Sequence, residues 1–271
     1  MKFSIHAGHN SFVPGARGYI SEEFVNRKIK VATIRYLRAA GQTVYDDTDD
    51  YGRTQNENLA AIVHKVNKHR DLDLAVSIHL NAGGGTGIEV YQYDEKTNGV
   101  AGRILNNICE VTGLTNRGLK KNQSFYVLRN TKPSALLIEC GFVDTKTDAM
   151  LVASKTEVIG HAIAEGMLGK NIQTRNAASR TSTHEFDQSL PAEVKGTKRS
   201  VVKLVSSYPG YLIKRGSRGE EVKRIQRALS VTADGIFGVK TEAAVRNYQK
   251  RHQLTVDGVV GPKTWAQLFA A

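Results

Sequence analysis

The chain has only two cysteines in 271 residues, Cys109 and Cys140, with no Cys-x-x-Cys spacing. One lies in a helical pattern and the other beside a strand, so both read as small buried hydrophobes rather than disulfide partners or thiolate ligands. No apolar run approaches the roughly 18–20 residues that a membrane span needs. The opening segment MKFSIHAGHN has one lysine but no apolar stretch of the length that a secretory signal requires. The expectation is a protein made in, and initially staying in, a cytoplasm, without membrane insertion. There is no HExxH helix, and no recognisable reading helix, finger or aromatic stacking platform for nucleic acid.

What is present is an ordinary soluble composition, 40% hydrophobic and 24% charged, long enough for one large domain and a small one. The net charge of +12 is unevenly placed: residues 1–170 carry 21 Lys+Arg against 18 Asp+Glu, and residues 171–271 carry 17 against 8. The C-terminal third should therefore seek an anionic partner. Nucleic acid is one candidate, but the missing reading elements argue against it.

Residues 1–170 alternate strand and helix. KFSIHAG, TVYDDT, DLAVSIH, GIEVYQY, SFYVLR and ALLIECG read as strands; helices are expected over Ser21–Ala40, Thr54–His69, Gly99–Thr112 and Thr156–Leu168. The class is α/β, a mostly parallel twisted sheet flanked by helices. Residues 171–207, rich in Ser, Thr, Arg and Asn without apolar period, read as a flexible linker. Residues 208–271 should form a small all-α domain of three helices. Val222, Ile225, Gln226 and Leu229 share one helical face, and "TADGIFGVKT" and "TVDGVVGPKT" nearly repeat one another, with Thr241 and Thr264 as expected N-caps.

Four polar positions stand at ends of elements: His9 after the first strand, Glu22 or Glu23 opening the first helix, His79 ending "AVSIH", and Glu139 in "ALLIECGF". In an open parallel sheet, sites gather beyond the carboxyl ends of the strands. Two imidazoles and one carboxylate suit a catalytic zinc with one position left for water, and a second carboxylate could act as general base. Each has a plainer alternative. Acidic residues in a first helical turn complement the helix dipole, and a lone histidine can be structural. Glu139, between Ile138 and Cys140, is harder to dismiss, because a buried carboxylate is costly without a partner or a task. His6 competes as a ligand, while His64, His69, His161, His184 and His252 read as surface or packing residues.

With those residues in view, residues 1–170 resemble the zinc-dependent N-acetylmuramoyl-L-alanine amidases of the amidase 3 type. The resemblance is carried, in order, by "HAGHN", "SEEFVN", "VSIHLNA", "NRGLK" and "LLIECGFVD". The family's Glu with Asn four residues on selects Glu22 over Glu23. The resemblance implies that His9, Glu22 and His79 ligate Zn2+ and that Glu139 is the catalytic carboxylate. His6-Ala7 stands where the family commonly has Asp-Pro, and the second helix lacks the usual arginine before Asn67. Residues 211–269 resemble a three-helix peptidoglycan-binding module through "GEEVKRIQRAL", "DGIFGVKTEAAVRNYQ" and "DGVVGPKTW".

The implied reaction is hydrolysis of the amide between N-acetylmuramic acid and L-alanine, with the peptidoglycan of a bacterial, Gram-positive wall as partner. A signal-free chain with a wall-binding module fits a phage endolysin that acts on the wall after release. Alternatives are a host autolysin of mother-cell lysis and a binding-only wall protein.

Overall fold

The computed structural model describes residues 1–172, 208–209 and 212–269. The linker expected over 171–207 lies almost wholly outside the described residues, as do His184 and Tyr211. The larger unit contains six strands: β1 Lys2–Ala7, β2 Thr43–Asp46, β3 Leu74–Asn81, β4 Ile88–Gln92, β5 Asn116–Lys121 and β6 Ala135–Phe142. Its α-helices are α1 Glu22–Ala39, α2 Gln55–Lys68, α3 Asn98–Thr112, α4 Tyr126–Asn130, α5 Lys146–Ser154 and α6 Thr156–Leu168.

The strand order is β2-β1-β3-β6-β4-β5, with every neighbour pair parallel except β4 against β6. Strand alternation sorts the sheet into two faces. Phe3 and Ile5, Val76, Ile78 and Leu80, Ile88 and Val90, and Leu136, Ile138 and Cys140 share one buried cluster with α1, α3 and α6. The opposite face is apolar only in part: Ala75 and Leu137 pack with Ile62, Val63 and Val66 of α2 and Val127 and Leu128 of α4. Beyond that second cluster, towards the carboxyl ends of the strands, the same face turns polar with Ser77, His79, Glu89 and Glu139.

Two sequence expectations are corrected. SFYVLR is not a strand. The Asn122 side chain accepts hydrogen bonds from the backbone N–H groups of Ser124 (2.8 Å) and Phe125 (3.1 Å), turning the chain into α4. The missing strand is instead NRGLK, a cationic edge strand without hydrophobic alternation, as edges guarded against pairing often are. Thr241 and Thr264 are not N-caps either. They lie inside helices, buried, and their hydroxyls accept from the Gln226 and Gln249 amides at 3.0 and 3.2 Å.

The smaller unit has three helices, α7 Glu220–Ala228, α8 Val239–Arg251 and α9 Pro262–Phe269. They close on a core of their own: Ile213, Val222, Ile225, Phe237, Val245, Val260 and Trp265. The repeated Asp-Gly turns are held alike. The amide of Gln226 reaches Asp234 at 2.7 Å and the Ile236 carbonyl at 3.0 Å, and Gln249 reaches Asp257 and Val259 at 2.7 and 2.9 Å.

Candidate metal centre

His9, Glu22 and His79 come from three kinds of element: the loop after β1, the first turn of α1, and the end of β3. One ligand atom from each lies within 4.8 Å of the others. The Glu22 carboxylate is the hub. Its Oε1 lies 3.0 Å from His79 Nδ1 and 3.4 Å from His9 Nε2, and it accepts the Leu80 backbone N–H at 3.1 Å. Its Oε2 accepts the Ala16 N–H at 2.9 Å. The two imidazoles meet edge to face, centroids 5.0 Å apart.

Backbone and small residues make this approach possible. His9 adopts φ 60°, a left-handed conformation uncommon outside glycine. Its carbonyl accepts from Arg27 Nη2 at 2.7 Å, and the Gly8 carbonyl accepts from Asn26 Nδ2 at 2.9 Å. Arg27, itself buried, also pairs with Asp50 at 2.7 Å. Sequence reasoning did not single out Arg27, which stands between Asn26 and Lys28 and a turn from Glu23 and Lys30, where the local pattern gives no sign of burial. Gly8 leaves the room that the His79 ring occupies, since a Cβ there would lie 1.9 Å from its Cε1. Gly15, with φ +69°, likewise clears Glu22 and His9.

Glu23 and His6 stand apart from the three. Glu23 pairs with Arg17 at 3.4 Å and leaves a buried Oε2 without a partner among the described residues. His6 is buried on β1 opposite Ser77, and neither ring nitrogen has a partner among the described residues. Burial, reinforced by His79, pushes its pKa down to about 3. The cysteines match the hydrophobe reading: Cys140 is buried, Cys109 partly so, and both are free.

Glu139 sits directly across the β3–β6 ladder from His79. Its Oε2 is buried without a hydrogen-bond partner among the described residues. Burial pushes the carboxyl up to about 7; His79 opposes the shift, and Glu22 and Glu89 add to it. Burial would also lower the His79 imidazole, but the Glu22 bond and charge override it and raise the pKa. The same partnership outweighs burial at Glu22 and holds its carboxyl below the ordinary value. Beside these groups opens a cavity of about 360 Å3 lined by His9, Asn58, Ser77, His79, Phe125 and Glu139 among others.

A raised carboxyl pKa is a stability statement. The folded chain holds a proton on Glu139 between the unfolded value of 4.5 and about 7, so its neutral form favours folding at low pH and that contribution disappears as pH rises through 7. In chelator-treated protein, Glu139→Gln should therefore be about as stable as wild type near pH 4.5 and more stable above pH 7, by at most about 3 kcal/mol. Denaturant melts of both proteins at several pH values check this; parallel pH profiles would refute it.

The donor set suits zinc. Two imidazole nitrogens and one carboxylate oxygen are a catalytic zinc triad that leaves a position open, and ligand atoms on one tetrahedral zinc lie about 3.4 Å apart. The 3.0 and 3.4 Å separations around Glu22 Oε1 are of that size. His79 Nε2 lies 3.1 Å from Ser77 Oγ, a partner that can fix the ring while Nδ1 faces Glu22.

Residues 4–168 match the family described as "N-acetylmuramoyl-L-alanine amidase". The chain belongs to this family. Residues 218–268 match the family described as "Putative peptidoglycan binding domain". The chain is similar to an uncharacterized protein of Clostridium perfringens, 35% identical over 64% of this chain and 53% of that one. It is also similar to the sporulation-specific N-acetylmuramoyl-L-alanine amidase of Bacillus subtilis, 30% identical over 61% of this chain and 65% of the relative. Among solved structures, the catalytic domain of the CD27L endolysin targeting Clostridia difficile superposes with a TM-score of 0.58 at 32% identity, covering 64% of this chain and 99% of that one. The chain spans about half the length of the first curated relatives it matches.

Proposed function

We propose that the protein is a zinc-dependent N-acetylmuramoyl-L-alanine amidase, which cleaves the amide between N-acetylmuramic acid and L-alanine in peptidoglycan. The observation that carries this reading is the meeting of His9, Glu22 and His79 beside Glu139, whose Oε2 is buried with no partner among the described residues, in a chain of the amidase family. His9, Glu22 and His79 would hold the metal. Bound there, zinc supplies Lewis acidity towards the scissile carbonyl and acidifies water towards a pKa of about 7.

The chain's own chemistry falls to Glu139. As a carboxylate it takes a proton from the attacking water while the oxygen bonds to the lactyl carbonyl carbon. It then delivers that proton to the alanine nitrogen as the carbon–nitrogen bond breaks. Burial raises the Glu139 pKa in the metal-free chain, and a cation held beside it would favour the carboxylate that the first half of that task needs. The assay is release of free amino groups from purified sacculi by the full chain, with and without chelator; undiminished release after the metal is removed would refute zinc dependence.

Three domain roles follow: residues 1–170 catalyse, 171–207 link and 208–271 bind the wall. The separate core of the C-terminal unit and its family match support this division. The full chain should sediment with Gram-positive sacculi more strongly than residues 1–172 alone. Part of the difference should fall as salt rises, because exposed charges are screened within about 10 Å at 0.1 M. Equal sedimentation by the two proteins would refute the division. The similarity to an endolysin catalytic domain favours a lysis role after release from a host cytoplasm, and the similarity to a sporulation amidase favours the autolysin alternative. Lysis of cells expressing the chain with and without a membrane-permeabilising protein distinguishes them.

A further inference from the structure

The strand β4 carries a buried carboxylate that the mechanism above does not use. Glu89 is 2% exposed and lies directly across the antiparallel β4–β6 ladder from Glu139. Its Oε1 accepts from Asn81 Nδ2 at 2.8 Å and from the Tyr91 hydroxyl at 2.7 Å. Its Oε2 accepts from Arg117 Nε and Lys120 Nζ, both at 2.8 Å. Both cations come from β5, the sheet's cationic edge.

One carboxylate thus accepts from two cations, with Asp148 acting on Arg117 from farther off and Glu139 lying across the ladder from Glu89. Arg117 and Lys120 side chains are 34% and 37% exposed, against 2% for the Glu89 side chain. Lys120 also spends only one of its three donors on Glu89 among the described residues, and Arg117 Nη2 makes no hydrogen bond among them. Arg117 further lies over the Phe142 ring, 5.0 Å from its centroid, at the end of β6. Long cationic chains held this way are pre-ordered to receive an anion, because their rotamer entropy is already spent.

Position decides which anion. On one sheet face run His79 on β3, Glu139 on β6, Glu89 on β4, then the heads of Arg117 and Lys120 from β5. Neighbouring strands are about 4.8 Å apart, so the β5 backbone lies roughly 10 Å from β6. The two cationic heads reach back to Glu89, which faces Glu139 directly, and therefore stand roughly 5–10 Å from the Glu139 strand. An extended peptide advances about 3.3–3.6 Å per residue, so that span corresponds to the second or third residue of a stem leaving the scissile amide. The glycan side of the substrate offers no match, since the lactyl carboxyl is already an amide.

We propose that Arg117 and Lys120, braced by Glu89, form a subsite for a free carboxylate on the stem peptide two or three residues beyond the scissile bond. This rests on the amidase reading above. The subsite would make the enzyme sensitive to whether those stem carboxyls are free or amidated.

The test uses the full chain, zinc-loaded, on synthetic muramoyl peptides carrying a carboxylate or a carboxamide at the second or, separately, the third stem residue. Wild type should show a KM about tenfold or more lower for the free acid at one of the two positions, the size expected of a charge-assisted hydrogen bond. Lys120→Gln and Arg117→Gln should raise KM for the free acid by a similar factor while adding little to the amidated substrate's KM, and Lys120→Arg should restore the preference. Lys120→Gln keeps Arg117 on Glu89, so it tests the subsite even if Arg117→Gln fails to fold. Equal KM values for acid and amide in wild type would overturn the subsite. So would equal losses on both substrates in the variants, or loss of sacculus binding irrespective of stem amidation, which would indicate a wall-polymer contact. Wild type that hydrolyses none of the peptides would overturn the amidase reading itself, and the subsite with it.

Discussion

Glu139→Gln should leave the fold, the metal content and the sacculus binding of the chain intact while lowering amide hydrolysis 10³–10⁴-fold. The substitution keeps the side chain's size and removes its basicity. General acid–base catalysis typically contributes 10²–10⁴-fold, and a group that both accepts the water proton and returns it to nitrogen belongs at the upper end. Glu139 faces His79 across the ladder but is not among the three residues whose ligand atoms converge, so losing its charge should not release zinc. Amino-group release from sacculi, measured beside zinc content on the same preparation, separates the possibilities. Zinc lost together with activity would make Glu139 a ligand, and full activity would place the base elsewhere.

His79→Ala should remove zinc and activity together, and so should Gly8→Ala without touching a ligand. Loss of one of three protein donors should cost more than the 10–100-fold in metal affinity that follows loss of an outer partner. At Gly8 the reason is steric: a methyl carbon 1.9–2.6 Å from three atoms of the His79 ring cannot coexist with that ring where it stands. The imidazole must leave Glu22 or the β1 loop must shift. His6→Ala is the control, because His6 is not among the converging residues and has no polar partner among the described residues to lose. Metal analysis of the three variants decides. A His6→Ala protein that loses its metal while His79→Ala keeps it would overturn the ligand assignment.

Much of this was legible along the chain. Strand and helix order follow from local periodicity, because hydrogen-bond geometry fixes which residues share a face within a few positions. The alternation in LAVSIHLN places Ile78 in the core and His79 on the opposite face; no distant contact is needed to read that. The Thr54…Glu57 capping box likewise marks the start of α2 from four residues alone. His9 and Glu22 do stand at element boundaries, and the two Asp-Gly turns repeat as read. His79 and Glu139, expected at strand ends, instead lie inside β3 and β6, two and three residues before their ends, because the β3–β6 ladder continues to Asn81 and Phe142.

What the chain's order could not supply is everything that depends on neighbours distant in sequence. SFYVLR has strand-forming residues, yet it folds as α4 because Asn122 turns it and Val127 and Leu128 find α2 to pack against. NRGLK lacks hydrophobic alternation because an edge strand is half-solvated, so no periodic signal marked β5. Glu22 and Glu23 are both acidic and both nearly fully buried. Residue type does not tell them apart; the resemblance points to Glu22 through the Asn four residues on, and in the structure Glu22 turns towards His79 while Glu23 turns towards Arg17. The same holds for Gly8 and Arg27, whose tasks are to leave space for a ring and to hold a loop's carbonyls. Residue types fixed which chemistry was available; where those residues meet was decided by the packing of the parallel β1, β3 and β6 ends under the mouth of α1, since charge and steric terms act through space and not along the chain.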